Sequence, residues 1–213
     1  MKSGVYTEVK AEEFLKTYVP IAKHSLVKNF EQATIIAKKL GFPLVLKIIS
    51  QDAIHKSEIK GVRIVKNRQD LSKEFEKLVS IAKEKKLRLE GILVQEYVEG
   101  EYVIIGLKKD VTFGHVIAFG IGGIYTELLK DISFRVCPIT SKDAEEMFDE
   151  LKLRKLLEGF RNTKAINKEF LKKTLIKVSQ IPLKHPEIQE MDINPFVINE
   201  KDGKVVDARI LVE

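Results

Sequence analysis

A single charge stands inside the apolar run Leu44-Val45-Leu46-Lys47-Ile48-Ile49. A run this short and this apolar reads as a buried strand. A lysine within such a strand either carries its ammonium to water along its stem or meets an anion. Phe30, Ala33, Ala37 and Leu40 recur at helical spacing after Asn29, and Gly41 and Pro43 close that helix immediately before the run. The chain is therefore committed early to a helix feeding a strand that holds one cation rigidly.

The same reading continues along the chain. A short helix is expected around residues 11 to 18, and residues 50 to 61 are polar and loop-like before a returning strand at 62 to 65. Asp70 is positioned to cap a helix with Leu71, Phe75, Leu78 and Ala82 as its apolar stripe. Strands are expected at 91 to 98, 102 to 107 and 115 to 119, with Gly120, Gly122 and Gly123 interrupting after the last. Thr140 with Asp143 resembles a capping box, which places helices at 141 to 150, 153 to 159 and 168 to 180. Residues 188 to 199 and 205 to 212 read as a hairpin about a Lys201-Asp202-Gly203 turn. The pattern is mixed α and β with antiparallel signals in its second half, without the regular alternation of a doubly wound sheet.

Several classes are excluded or disfavoured. No internal repeat or low-complexity tract occurs in the 213 residues, and no apolar stretch reaches the roughly 18 residues of a membrane span. A cytoplasmic location is expected. Cys137 is the one cysteine, so neither an internal disulfide nor a cysteine zinc site is available, and its apolar setting suits a small buried side chain. The net charge of +6 admits anionic partners, nucleic acid included. The lysines, however, alternate with glutamates along helical segments and lack interleaved aromatics, the pattern of a solvated face. Neither a P-loop nor a GxGxxG is present, so a nucleotide site here must be built another way.

Four constellations can carry chemistry. Lys47 presents an ammonium to an anion such as a phosphate, or snorkels to water. His55, in Asp52-Ala53-Ile54-His55-Lys56-Ser57-Glu58-Ile59-Lys60-Gly61, is either an exposed loop histidine or a group that accepts and releases a phosphoryl near neutral pH. Gly120-Ile121-Gly122-Gly123, followed by Glu127, Lys130, Asp131 and Arg135, lets backbone approach an anion or simply makes a turn. Finally, symmetric pairing about the closing turn puts Asn199 opposite Lys204, Asn194 opposite Arg209 and Phe196 opposite Asp207. Asn194 and Asp207 then lie diagonally on one face, roughly 7 Å apart. Two oxygen ligands at that separation can converge on one Mg²⁺ held at about 2.1 Å, with waters and phosphates completing the shell.

Taken in order, GFPLVLKI at 41 to 48, HKSEIKGV at 55 to 62, LVQEYV at 93 to 98, FGIGGIYTELLKDISFRV at 119 to 136, and EMDINPF with VVDAR resemble the ATP-grasp β subunit of ADP-forming acyl-CoA synthetases. That group contains acetate-CoA ligase (ADP-forming) and, more distantly, succinyl-CoA synthetase. The resemblance implies an α+β ATP-grasp fold, a single domain over 1 to 213 whose two lobes, with largely antiparallel sheets, clamp a nucleotide. The smaller lobe would span about 20 to 95, and the larger about 96 to 213 together with the N-terminal helix. It further implies that Lys47 contacts nucleotide phosphates and that Gln95, Glu96, Tyr97 and Val98 form the hinge whose backbone meets adenine. Asn194 and Asp207 would hold Mg²⁺, with Asp192 close to the transferring phosphate. Gly122, Gly123 and Arg135 would lie near the phosphates or a partner subunit, and His55 would relay a phosphoryl group between an α subunit, in an α2β2 assembly, and ADP.

Two positions depart from the resembled pattern. Tyr102 stands where relatives usually have a glutamate, with Glu101 one place earlier, and a one-residue shift turns a strand side chain to the other face. Lys60 stands where a glycine is common. Two other readings follow from the same residues: an ATP-grasp ligase joining a carboxylate to an amine, and a catalytically silent basic module binding nucleotide or nucleic acid. The acyl substrate leaves no trace in this sequence, because in the resembled family the acyl and CoA sites lie mostly on the α subunit.

Overall fold

The computed structural model describes residues 1–52, 56, 58–123, 131–160 and 164–213. In chain order these form β1 (Gly4–Tyr6), α1 (Glu8–Leu15), β2 (His24–Val27), α2 (Phe30–Leu40), β3 (Leu44–Ser50), β4 (Val62–Val65), α3 (Arg68–Glu84) and β5 (Leu89–Glu96). There follow β6 (Glu101–Asp110), β7 (Gly114–Ile121), β8 (Ile132–Val136), α4 (Ser141–Asp149), α5 (Lys168–Ser179), α6 (Ile181–Lys184), β9 (Ile188–Ile198), β10 (Gly203–Val205) and β11 (Ala208–Val212). Two compact units divide the chain: residues 22–97, and residues 1–21 with 98–213. No described helix is long and apolar enough to cross a membrane.

The smaller unit is a four-stranded antiparallel sheet in the order β2-β5-β3-β4. Strand alternation sends Leu44, Leu46, Ile48, Ile92, Val94, Val27 and Val65 to one face, where they pack with Ala33 and Ala37 of α2 and with Leu71, Phe75, Leu78 and Ala82 of α3. Val45, Lys47, Ile49, Leu93 and Gln95 therefore point from the other face. Asn29 caps α2 by accepting from the Gln32 amide. The cap of α3 is Asn67, whose side chain accepts from the Gln69 and Asp70 amides. Asp70, expected as the cap, instead lies in the first turn and accepts from Asn67 Nδ2 at 2.9 Å.

The larger unit is a seven-stranded antiparallel sheet in the order β1-β11-β9-β6-β7-β8, with β10 also pairing β9. Val103, Ile105, Leu107, Ile117, Phe119, Met191, Ile193, Phe196 and Ile210 point to one side and bury against α1, α4 and α5. The expected capping box of Thr140 and Asp143 opens α4. Of the helix expected at 153 to 159, only a 3-10 turn at Arg154–Leu156 forms. Strands β1, β2 and β8 and the short α6 carry no strong periodic signal, and they form because they complete sheet edges or cover the core.

The closing hairpin differs from expectation in register. Ile198 pairs with Gly203, Val197 with Lys204 and Phe196 with Val205, and Asp192 pairs with Arg209 farther along. The turn is thus centred between Glu200 and Lys201, one residue earlier than the sequence reading. The cause is Asn199: its side-chain oxygen accepts from the Lys201 and Asp202 amides, and its own amide donates to Asp202 O. Because the centre moves by one, every partner moves by two, and Asn194 comes directly opposite Asp207, its amide donating to Asp207 O at 3.0 Å.

Asn199→Ala removes both turn acceptors and the contact of Asn199 Nδ2 with Glu99 O. It is expected to lower unfolding free energy by about 1–2 kcal/mol in urea titrations, with Asn199→Asp avoiding most of that loss because it keeps the acceptor.

Candidate functional site

Each unit carries a sheet face turned away from its own core, and each such face includes charged or polar side chains. In the smaller unit Lys47 is 5% exposed and lies opposite Leu93 on β5 and Val62 on β4. Gln95, 1% exposed, lies opposite Val45 on β3 and His24 on β2, so it shares the Lys47 face one diagonal step away. Strand β5 ends at Glu96, whose amide donates to Lys23 O while its carboxylate accepts from the Lys23 amide at 2.8 Å. Tyr97 and Val98 follow outside the ladder, leaving their backbone groups unused by the sheet.

The polar segment after β3 is anchored at both ends. Asp52 accepts from the Arg88 amide at 2.9 Å and from its guanidinium at 2.6 Å, and Arg88 holds the Asp52 carboxyl down at about 2. At the other end the Gly61 amide donates to Lys56 O, and Gly61 O accepts from the Ile48 amide. Lys60 has φ 56°, a region that favours glycine, which gives a backbone reason for the glycine found there in the resembled pattern. His55 lies outside the described residues, as do Ala53, Ile54 and Ser57.

In the larger unit Asp192 and Asn194 on β9 and Arg209 on β11 share the face away from the core, with Asp207 in the short break before β11. Asp192 is flanked by Arg209 on one side and by Gly106 of β6, which carries no side chain, on the other. The Asp192 carboxyl is pushed above the ordinary carboxylate range. Desolvation by neighbouring atoms is the largest cause, although the residue as a whole keeps solvent-facing surface. The like charges of Asp207 and Glu190 act in the same direction, and Arg209 opposes them.

These oxygens suit a hard divalent cation that keeps water and phosphate ligands of its own. Among the described residues no group of three or more His, Cys, Asp and Glu side chains forms a closed metal cage. A site built on one or two carboxylates and an amide is the form magnesium takes when substrate phosphates supply the rest. The arrangement that favours a cation there is the register, which sets Asn194 opposite Asp207 with Asp192 two residues along the same face of β9.

The glycine loop and Arg135 have local tasks. The Gly122 amide donates to Tyr102 O at 2.6 Å, and a Cβ on Gly122 would meet the Tyr102 carbonyl at 2.9 Å, so the loop lies against β6 only as glycine. Gly123 follows with φ 74°, and residues 124–130, which include Glu127 and Lys130, lie outside the described residues. The Asp131 carboxylate accepts from the Lys152 and Leu153 amides. Arg135, expected near phosphates or a partner, donates to Glu150 at 2.6 and 3.1 Å and to Glu146 at 3.4 Å, tying β8 to α4. Burial pushes the Cys137 thiol up to about 12, in keeping with a structural side chain. Tyr102 and Glu101 lie on opposite sides of β6, Tyr102 half exposed on the face of Gly106. Two local arrangements differ from the sequence expectation or were not foreseen by it: Arg209 pairs with Asp192 rather than Asn194, and Arg88 anchors Asp52. Arg209 was within reach of the sequence had the turn been centred on Asn199 capping.

An ATP-grasp domain profile matches residues 1–212. The chain is 39% identical over 210 residues to acetate–CoA ligase (ADP-forming) I subunit beta of Pyrococcus furiosus, covering 96% of this chain and 90% of that subunit. It is 40% identical over 197 residues to acetate–CoA ligase (ADP-forming) I of Archaeoglobus fulgidus, covering 91% of this chain but only 29% of that longer protein. The fold superposes with a TM-score of 0.94, at 39% identity and covering 98% of this chain and 93% of the other, on dinucleotide-forming acetyl-coenzyme A synthetase 1 of Ca. Korarchaeum cryptofilum in complex with coenzyme A, Ca-AMPCP and HgCl+. A second structure of that enzyme, with coenzyme A and Mg-AMPPCP, has its phosphohistidine segment pointing towards the nucleotide binding site. It superposes with a TM-score of 0.85 at 37% identity, covering 98% and 93% of the two chains.

Two measurements check this geometry. Asp207→Asn removes a like charge near Asp192, so in metal-free buffer the Asp192 carboxyl is expected to titrate at a lower pH in the variant than in the wild type, as followed by carbon-13 NMR. The Asp52 pair stabilises fully above the unfolded carboxyl value near 3.8, and the stabilisation is lost as pH falls through about 2. The difference in melting temperature between wild type and Asp52→Asn is accordingly expected to persist at pH 5 and to vanish near pH 2.

Proposed function

This chain belongs to the ATP-grasp family and, within it, to the β subunits of ADP-forming acetate–CoA ligases, and on that premise we propose that it binds Mg-ADP or Mg-ATP and passes a phosphoryl group between an α partner and the nucleotide. The reaction served is acyl-CoA + ADP + phosphate = acid + ATP + CoA. The observation that carries this reading is the pairing of Asn194 with Asp207 beside Asp192 on one sheet face.

The roles follow from the chemistry of each group. Lys47, buried in β3, neutralises phosphate charge without needing to be immobilised at the moment of reaction. The backbone of Glu96, Tyr97 and Val98 beyond the β5 ladder meets the base, and Gly122 and Gly123 allow close approach of the loop after β7. Asn194 and Asp207 would hold Mg²⁺, which supplies charge neutralisation across the nucleotide phosphates when bound. Asp192 lies near the transferring phosphoryl group and orients its acceptor. His55 attacks a phosphohistidine of the α subunit: one P–N bond breaks there and one forms on the His55 imidazole. In the second step that P–N bond breaks as a β-phosphate oxygen of ADP takes the group, leaving ATP and a neutral imidazole. Arg135 is better assigned to holding α4 on β8 than to the nucleotide.

The two units act as lobes of one domain, and the chain works in the cytoplasm in an α2β2 assembly whose α subunits carry the acyl and CoA sites. This chain spans less than a third of the longer relatives from Archaeoglobus fulgidus and Methanocaldococcus jannaschii.

Incubation with an α subunit, acetyl-CoA and phosphate is expected to leave acid-labile phosphate on this chain and none on His55→Asn. ADP-linked turnover by the isolated chain, or undiminished labelling of His55→Asn, would sink the relay. Lys47→Met is expected to weaken Mg-ADP binding tenfold or more by calorimetry, about 1.4 kcal/mol.

A further inference from the structure

The smaller unit carries an exposed ion pair whose place in the chain gives it more consequence than its share of the stability. The last backbone pair between β3 and β5 joins Ser50 to Leu89, and beyond it the two segments are held together by a side chain. Asp52 Oδ2 accepts from the Arg88 amide at 2.9 Å and from Nε at 3.1 Å, while Oδ1 accepts from Nη2 at 2.6 Å. The Asp52 amide donates in turn to Oγ of the buried Ser50 at 3.2 Å. Both carboxylate oxygens are thus engaged by one residue, so any action of Asp52 on its sequence neighbours runs through the backbone. With the Arg88 side chain 77% exposed, such a pair adds little to stability. What it fixes is a point on the chain three residues before His55. One residue after His55, Lys56 O accepts from the Gly61 amide at 2.7 Å, and Gly61 O accepts from the Ile48 amide at 2.9 Å. Of these two anchors only the one at Asp52 is made by side chains.

We propose that Asp52 and Arg88 are positioning residues for the phosphoryl relay: by fixing where the chain leaves β3, the pair aligns the His55 imidazole with its phosphoryl donor and acceptor. The proposal rests on the reading of His55 as the relay group and adds to it the residues that place it. Three residues of extended chain span about 11 Å, so the point at which Asp52 is held limits where His55 can be delivered. In-line transfer is steep in geometry, and a displacement of about 1 Å imposed from outside the chemistry can cost about a hundredfold in rate. The contact also fixes direction. Three donors of one residue converge on one carboxylate, which sets its orientation as well as its separation from β5.

The test uses the complex of this chain with an α subunit. The appearance of acid-labile phosphate on His55 is followed in time after addition of acetyl-CoA and phosphate, and Mg-ADP affinity is measured by calorimetry, both well below the melting temperature of every variant. Arg88→Gln and Asp52→Asn are each expected to slow labelling at least tenfold while binding Mg-ADP within twofold of wild type. The double variant is expected to be no slower than the slower single variant, because either substitution already removes the shared contact. A merely structural role would lower Mg-ADP affinity together with the labelling rate, and that result overturns the proposal. Labelling at the wild-type rate in both single variants overturns it too, as do losses that multiply in the double variant. If the wild type takes no phosphate on His55, the relay reading itself fails and the proposal with it. Wild type and variants labelled at one rate leave the relay intact and sink the positioning role alone.

Discussion

The larger unit depends on the turn that Asn199 closes. Strand β9 is the hub of its sheet, paired with β6 on one side and with β10 and β11 on the other. Its register against the returning strand follows from where one side chain accepts two backbone amides. Because strand side chains alternate, a turn displaced by one residue leaves the faces intact and moves every partner by two. Core residues such as Met191, Ile193 and Ile210 would stay buried in either register. What changes is which polar residues meet: Asn194 with Asp207, and Asp192 with Arg209.

The two sheet faces use charge and burial in opposite ways. On the larger sheet, oxygens are brought together against their own repulsion, which a cation relieves. On the smaller sheet, a lysine and a glutamine are buried where apolar side chains would cost less.

Several charged groups near the glycine loop are matched within the fold. Arg135, Asp131 and the Glu145 to Lys172 contacts are matched inside the fold, with Lys172 Nζ 2.7 Å from Glu145. Gly122 is required for backbone approach to Tyr102 rather than shown by itself to cradle a phosphate.

The sequence by itself determined the elements and the class of site. Helical spacing before Gly41, the apolar run around Lys47 and the Thr140-Asp143 box each act within a few residues, so α2, β3 and α4 were legible. Ordered motifs pointed to the family, because the chemistry of phosphates and magnesium restricts which side chains can serve. Tertiary structure alone decided the strands β1, β2 and β8, which gain stability only from their neighbours in the sheet. It also decided the pairing of Asn194 with Asp207, the capture of Arg135 by Glu150, and the isolation of the Gln95 amide. Each of these depends on which distant backbone or side chain fills a hydrogen bond, and that choice is settled by competition across the whole sheet rather than by any local run of residues.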